Sequence, residues 1–388
     1  MIYSVPYCLA FIFILFLEFY PKQCGAVNAK YVPCLSVLFF FLVFIGFRGF
    51  IVTDWVSYYP YFEEKVPSFF DGDKVEKFIS GWPWEKGFLL YSVAMKSICP
   101  DYFFFQFFSF LFDLIAIHIT FRRYVQKKYI PLAYAVFFVF QGFVMEVNLL
   151  RNSKAIVLFM LSIPYLQDRK FLKYAILNAI GGMFHVSGFL YIPLYFVLNR
   201  NFNRKLVMFI FILGNLFFFC RIKFIALLLS AVAPFLGGTR FGSMISAYGL
   251  LSDKFSSYSI GIGFLERTLT FFVVFKFQNR ILKSNRDVCA FVNLLYIFLF
   301  CYLYLSEVQI LIERITMLFV IGYWIVFPAV YGELSRKWKV LFAVVFLFYG
   351  ILKMLVQCDE PNYSYTNVLY EEPVYSQRYK LFDHGDKK

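Results

Sequence analysis

The sequence predicts an all-α polytopic integral membrane protein, and three observations carry that prediction. Hydrophobic residues make up 61% of the 388 residues, charged residues 16%, and mean hydropathy is +0.67. The apolar residues fall in repeated runs of about 15–20, the length that a hydrocarbon core of about 30 Å asks of a helix. The runs lack two-residue alternation, which disfavours a membrane β-barrel and leaves helices to satisfy the backbone in lipid. Phe alone supplies 56 residues, and with Tyr it suits lipid-facing and interfacial positions.

Taken in chain order, the runs give about 12 transmembrane helices (roughly 10–14). They cover 2–20, 32–47, 102–121, 130–147, 151–167, 171–186, 187–199, 206–220, 262–277, 288–305, 311–331 and 338–356. Residues 2–20 lack a basic leader and carry Glu18, so they read as a first span rather than a cleaved signal.

The loops set the expected orientation. Short basic loops hold Lys22 and Lys30; Arg122, Arg123, Lys127 and Lys128; Arg169, Lys170 and Lys173. Others hold Arg200, Arg204 and Lys205; Lys276, Arg280, Lys283 and Arg286; Arg336, Lys337 and Lys339. Such loops are expected on the cytoplasmic side. The long segment 48–101 and the tail 358–388 carry more acids than bases and are expected outside. The alternation closes if 88–99 and 223–236, both short for a crossing, are re-entrant or interfacial helices on the outer side. The expected organisation is a single transmembrane helical domain, 1–357, with extracytoplasmic loops at 48–101 and 221–261, followed by an extracytoplasmic tail, 358–388.

Charge and cysteine usage exclude other classes. The net charge of +14 is spread over short loops instead of one soluble face, which argues against nucleic acid as a partner. The eight cysteines are scattered without metal-ligand spacing and read as small buried hydrophobes. No metal or cofactor is expected.

On this topology one set of polar residues gathers at or just beneath the outer face: Arg48, Asp54, Glu85, Asn148, Arg151, Lys154, His185, Arg240, Lys254, Glu313 and Arg314. Ionisable groups at membrane depth are costly, and usually pair or face a polar cavity. Asn148, Arg151 and Ala155 fall at i, i+3 and i+7, with Lys154 alongside, so a helix presents both cations toward one anion. The alternative is a snorkelling pair at a helix end. Arg48 and Asp54 flank a short turn; their alternative is a salt bridge that ties the loop. Trp82, Trp84 and Glu85 set aromatic faces beside a carboxylate, suited to stacking on a sugar ring or to an interfacial belt. His185 follows Gly181 and Gly182 and precedes Ser187, in a chain with only three histidines. It reads as a group at a cavity mouth or as a hydrogen-bonded bundle organiser. His118, alone in a span, reads as structural. The tail tyrosines, Tyr375 and Tyr379 among them, suit stacking on sugars or belong to a loosely packed segment.

The order of these patches resembles the EpsG-like family of bacterial exopolysaccharide polymerases, relatives of the Wzy-type O-antigen and capsule polymerases. The resemblance rests on Arg48 with Thr53-Asp54 and Tyr58; Glu85 with Gly87; Asn148-Leu149-Leu150-Arg151 with Ala155; Phe184-His185-Val186-Ser187; and Arg314 opening a late span. The chain differs from the family pattern at Val52, Trp55 and Asn152.

The resemblance implies a membrane glycosyltransferase of the bacterial plasma membrane, active at its extracytoplasmic face on polyprenyl-diphosphate-linked oligosaccharide. A growing glycan leaves its lipid diphosphate, and a hydroxyl of the next repeat unit attacks the anomeric carbon. A diphosphate leaving group needs positive charge where negative charge develops, and arginine supplies it in a bidentate fork without a metal. Arg48, Arg151, Lys154, Arg314 and Arg240 are the expected diphosphate ligands. Asp54, Glu85 and His185 are the expected catalytic acid–base candidates. Asn148, Tyr58, Trp84 and Ser187 are expected to contact sugar. Expected partners are the lipid-linked oligosaccharide, membrane lipid, a flippase and a chain-length regulator. The alternatives are a lipid-linked oligosaccharide flippase, for which no internal repeat is visible, and an O-antigen ligase-like transferase.

Overall fold

The computed structural model describes residues 2–19, 32–232, 258 and 260–385. Among these residues the fold is all-helical, with one isolated β-bridge between Arg48 and Asn367. The helices begin with α1 (Val5–Phe19), α2 (Val32–Phe41), α3 (Trp55–Pro60), α4 (Asp73–Gly81), α5 (Lys86–Ile98) and α6 (Tyr102–Tyr124). They continue with α7 (Ile130–Phe137), α8 (Phe143–Asn148), α9 (Leu150–Gln167), α10 (Phe171–Phe184), α11 (Arg204–Cys220) and α12 (Phe224–Val232). The last are α13 (Ile262–Ser284), α14 (Cys289–Tyr304), α15 (Gln309–Met317), α16 (Ile321–Glu333), α17 (Arg336–Gln357) and α18 (Tyr375–Gly385).

Among the described residues, four helical segments are long and apolar enough to cross a membrane: Tyr102–Tyr124, Lys127–Asn148, Arg286–Tyr304 and Arg336–Gln357. Val5–Phe19, Val32–Gly46, Phe171–Phe184 and Val186–Phe196 are apolar but shorter. Such helices mark a membrane-embedded protein.

Several apolar runs are not straight α-helices. The run at 130–147 is α7 and α8 joined by a π-helical segment, Phe138–Gly142, in which Gln141 takes φ 63°. The run at 187–199 is largely a 3-10 helix, Val186–Phe196. Pro193 lies inside it and has no N–H for an α-ladder. At a rise of about 2.0 Å per residue, this 11-residue segment reaches roughly 22 Å. The short stretch expected at 88–99 falls mostly on α5, and that at 223–236 includes α12, its last four residues lying outside the described ones.

The chain divides into two compact units, Met1–Val197 with Phe327–Lys388, and Leu198–Val326. In the first, α1 packs on α7 and α17. Gly350 makes room for this approach, since a Cβ there would sit 2.3 Å from the Phe11 ring. The α10–α9 packing uses small residues too: a Cβ on Gly181 would touch the Ala155 backbone at 3.4 Å. Beyond α17 the tail returns along residues 47–52. Val368 N donates to Phe47 O (2.9 Å), Gly49 N to Thr366 O (2.9 Å) and Val52 N to Asn362 O (2.8 Å). Arg378 in α18 donates to Phe50 O at 2.7 Å and to Ser364 O. The tail is therefore packed, not loose.

The second unit has an aromatic and amide core. Phe211 and Phe271 stack with centroids 3.6 Å apart. Asn293 donates to Leu198 O and Arg200 O, and Tyr296 to Gln278 Oε1 at 2.8 Å. Satisfying side-chain polar groups between helices matters most where lipid offers no partner.

Candidate functional site

The site in the first unit is built where helices start and stop. The α8 helix ends at Asn148, Leu149 breaks the ladder at φ −131°, ψ 51°, and α9 begins at Leu150. Arg151 thus stands in the first turn of α9. Its Nη1 lies 2.7 Å from Glu85 Oε2, and its Nε donates to Tyr58 Oη at 3.0 Å. Its guanidinium carbon sits 4.5 Å from the Trp84 ring centroid, a cation–π distance. The Arg151 and Glu85 side chains remain 22% and 23% exposed. Nη2 of Arg151 makes no hydrogen bond among the described residues, so the guanidinium keeps a donor for an incoming anion.

Glu85 is the residue before α5, and its second oxygen accepts from Val186 N at 3.2 Å. Close packing of α5 on the end of α10 allows this. A Cβ on Gly87 would lie 2.8 Å from Met183 O, so glycine is required at that approach. Glu85 thereby joins Arg151 to the segment that carries His185.

His185 ends α10, where the backbone turns extended (φ −155°, ψ 134°). Its Nδ1 accepts the Ser187 backbone N–H at 3.3 Å and lies 2.8 Å from Ser187 Oγ. Ser187 Oγ donates to Asn152 Oδ1 at 2.6 Å. His185 is thereby tied through Ser187 to Asn152 at the start of α9. Gly188 permits the fold-back of this segment: a Cβ there would sit 2.3 Å from Gly182 N.

Asn148 fastens the turn before α3. Its Oδ1 accepts from Thr53 N, Thr53 Oγ1 and Asp54 N at 3.2, 3.0 and 2.9 Å. Asp54 is half-buried there, and burial lifts its carboxyl to about 7, with the Arg151 charge opposing the rise. Burial also pushes the Tyr58 phenol to about 12, again against Arg151. A carboxyl that titrates near neutrality suits proton transfer.

Two other expected ligands, Lys154 and Arg48, are placed differently. Lys154 is buried one turn below Arg151, where Nζ pairs with Asp113 Oδ2 at 2.5 Å and donates to Ser109 O at 3.0 Å. It serves the helix interior and does not share an anion with Arg151. Arg48 is also buried, and its guanidinium donates to Ile45 O and Glu146 O, each at 2.9 Å. The Arg48–Asp54 salt bridge does not form. Arg314 lies on α15 in the second unit. Arg240 and Lys254 fall outside the described residues. His118 Nδ1 lies 3.1 Å from Tyr134 Oη, a helix-to-helix contact.

Sequence reasoning passed over Asp113 and gave Asn152 no role. A lone acid within the apolar run of α6 is itself a signal. The alignment of Asn152 with Ser187 depends on a contact 35 residues apart and has no local signal.

A family model described as EpsG family matches residues 31–370. No curated protein and no solved structure matches the chain.

Proposed function

Because this chain belongs to the EpsG family, a Wzy-type polysaccharide polymerase family, we propose that it polymerises polyprenyl-diphosphate-linked oligosaccharide repeat units at the Arg151–Glu85 site. The observation that carries this reading is the half-buried Arg151, stacked on Trp84 and keeping Nη2 free for an anion.

In this reading Arg151 binds the lipid diphosphate of the growing chain. Trp84 stacks on the adjoining sugar, and the phenol of Tyr58 holds the guanidinium in place. Asp54 takes the proton from the acceptor hydroxyl. The hydroxyl oxygen then bonds to the anomeric carbon, and the bond from that carbon to the diphosphate oxygen breaks. The electron pair leaves with the diphosphate, where Arg151 offsets the charge. Glu85 orients Arg151, and His185 contacts the bound sugar. Ser187 and Asn148 hold the segments that carry His185 and Asp54. The basic loops support a site on the extracytoplasmic side of a bacterial plasma membrane. Capsule, O-antigen or exopolysaccharide is the product class, with a flippase and a chain-length regulator as working partners.

The test is complementation of a deletion strain with Arg151→Ala. Loss of surface polymer, with single repeat units still reaching the outer face, is expected. Normal long chains in that strain would overturn the reading.

A further inference from the structure

The short helix α3 presents neighbouring tyrosines to two places. Tyr58 Oη accepts from Arg151. Tyr59, one residue on, stacks against Tyr375 of α18 with centroids 5.1 Å apart and planes 18° apart. Tyr375 in turn stacks on Tyr379 at 5.8 Å and 28°. Three near-parallel rings therefore run outward from the helix that touches the arginine. Tyr59 and Tyr375 are half-buried, and Tyr379 is 42% exposed.

Docking of α18 does not account for the outermost ring. The buried Trp55 meets Tyr375 edge-on at 5.5 Å, and Arg378 is fixed to Phe50 O. Those contacts seat the helix. Acids surround the inner rings: after burial, the charges of Glu63, Asp101, Glu372 and Glu64 hold the Tyr59 phenol above its usual range. The outer face of Tyr379 and the carboxylates near the inner ring match a sugar, which offers C–H faces and hydroxyl donors. Tyrosine supplies rigid amphipathic contact area at low entropic cost. An anionic lipid surface is disfavoured by the same acids.

We propose that Tyr59, Tyr375 and Tyr379 form a ledge that binds the oligosaccharide portion of the substrate or product, continuous with the Arg151 site through α3. The sugar assignment rests on the polymerase reading. The ledge holds the glycan several units from the reacting end, so it governs how long a chain stays engaged and not the transfer step itself.

The test uses the purified full chain in nanodiscs and, as probe, the host's repeat-unit oligosaccharide released from lipid by mild acid. Saturation-transfer NMR titrations compare wild type, Tyr379→Ala, Tyr379→Leu and Arg151→Ala, each checked by thermal unfolding. Tyr379→Leu keeps an apolar side chain should alanine loosen α18. Loss of one stacking face is expected to weaken oligosaccharide binding about five- to tenfold in both Tyr379 variants, and to shorten polymer in cells. Unchanged oligosaccharide binding in a folded Tyr379 variant overturns the ledge. So does a Tyr379 effect confined to phosphatidylglycerol vesicles, which assigns the rings to the membrane surface. If Arg151→Ala makes normal polymer while the ledge still binds sugar, the polymerase reading falls and the ledge stands. If Arg151→Ala abolishes polymer and Tyr379→Leu binds normally, the ledge alone falls.

Discussion

Arg151 and Glu85, 66 residues apart, meet at 2.7 Å at the start of α9 and of α5. The carboxylate bridges the guanidinium to the N–H of Val186, so one side chain fixes two parts of the site. Exposed or half-exposed ion pairs add little stability. The pair's weight therefore lies in orientation.

Glu85→Ala is expected to lower polymer output at least about tenfold, with a melting temperature close to wild type. Glu85→Gln, which keeps an acceptor for Val186 N, is expected to retain more activity than alanine. Immunoblots of surface glycan with a parallel melt of the purified variants separate the two effects. Equal output from wild type and Glu85→Ala would remove the orienting role.

The pH profile should report Asp54. Burial lifts its carboxyl to about 7, so the base form grows as pH rises through that value. In-vitro polymerisation is expected to climb between about pH 6 and about pH 8, and Asp54→Asn to flatten and depress the curve. The stability sign is opposite. The folded state holds this proton more tightly than the unfolded chain, so Asp54 contributes stability below its ordinary 3.8 that is lost as pH rises through about 7. Asp54→Asn should thus melt higher than wild type at about pH 8, with little difference near pH 4. A melt difference that grows toward low pH would contradict this.

Lys154 should act through folding. Asp113→Ala removes the carboxylate that is hydrogen-bonded to the buried Lys154 ammonium, at a cost of about 3–5 kcal/mol. The expected outcome is strongly reduced protein in membranes. Replacing both, with Asp113→Leu and Lys154→Met, is expected to restore much of the level, because an apolar pair of similar volume needs no counter-charge. Quantitative membrane immunoblots measure both.

Gly188→Ala tests the segment behind His185. The added Cβ meets backbone at Gly182 N, so the segment must shift, and Ser187 and Asn152 come out of line. Activity is expected to fall about tenfold or more while the helical content by circular dichroism is kept. Wild-type activity in Gly188→Ala would make this alignment irrelevant.

The sequence made the class and half of the site legible for a physical reason. Polar residues in apolar runs stand out, and Asn148, Arg151, His185 and Glu85 were visible that way. What stayed hidden depends on contacts distant in sequence. Lys154 sits three positions from Arg151, so a shared anion was a fair expectation. An acid on α6, 41 residues away, claims it instead. Arg48 reads as a free cation until the carbonyls of Ile45 and Glu146 are placed around it. The break at Gln141 hides because neighbouring residues are apolar and helix-like. The tail's acids and prolines suggest looseness, and only Arg378 and the Phe47–Val52 backbone bonds show otherwise.

The return of the tail has a consequence for biogenesis. Arg378 emerges from the ribosome 328 residues after its partner Phe50. At about 5–20 residues per second that is roughly 15–65 s. Throughout that interval the 47–52 stretch just before Asp54 lacks its later scaffold. A nascent chain paused before residue 362 would already carry Arg151 and Glu85, yet its acid–base geometry would be unfinished. The contacts around residues 47–52 are therefore completed only by the last part of the chain to be made.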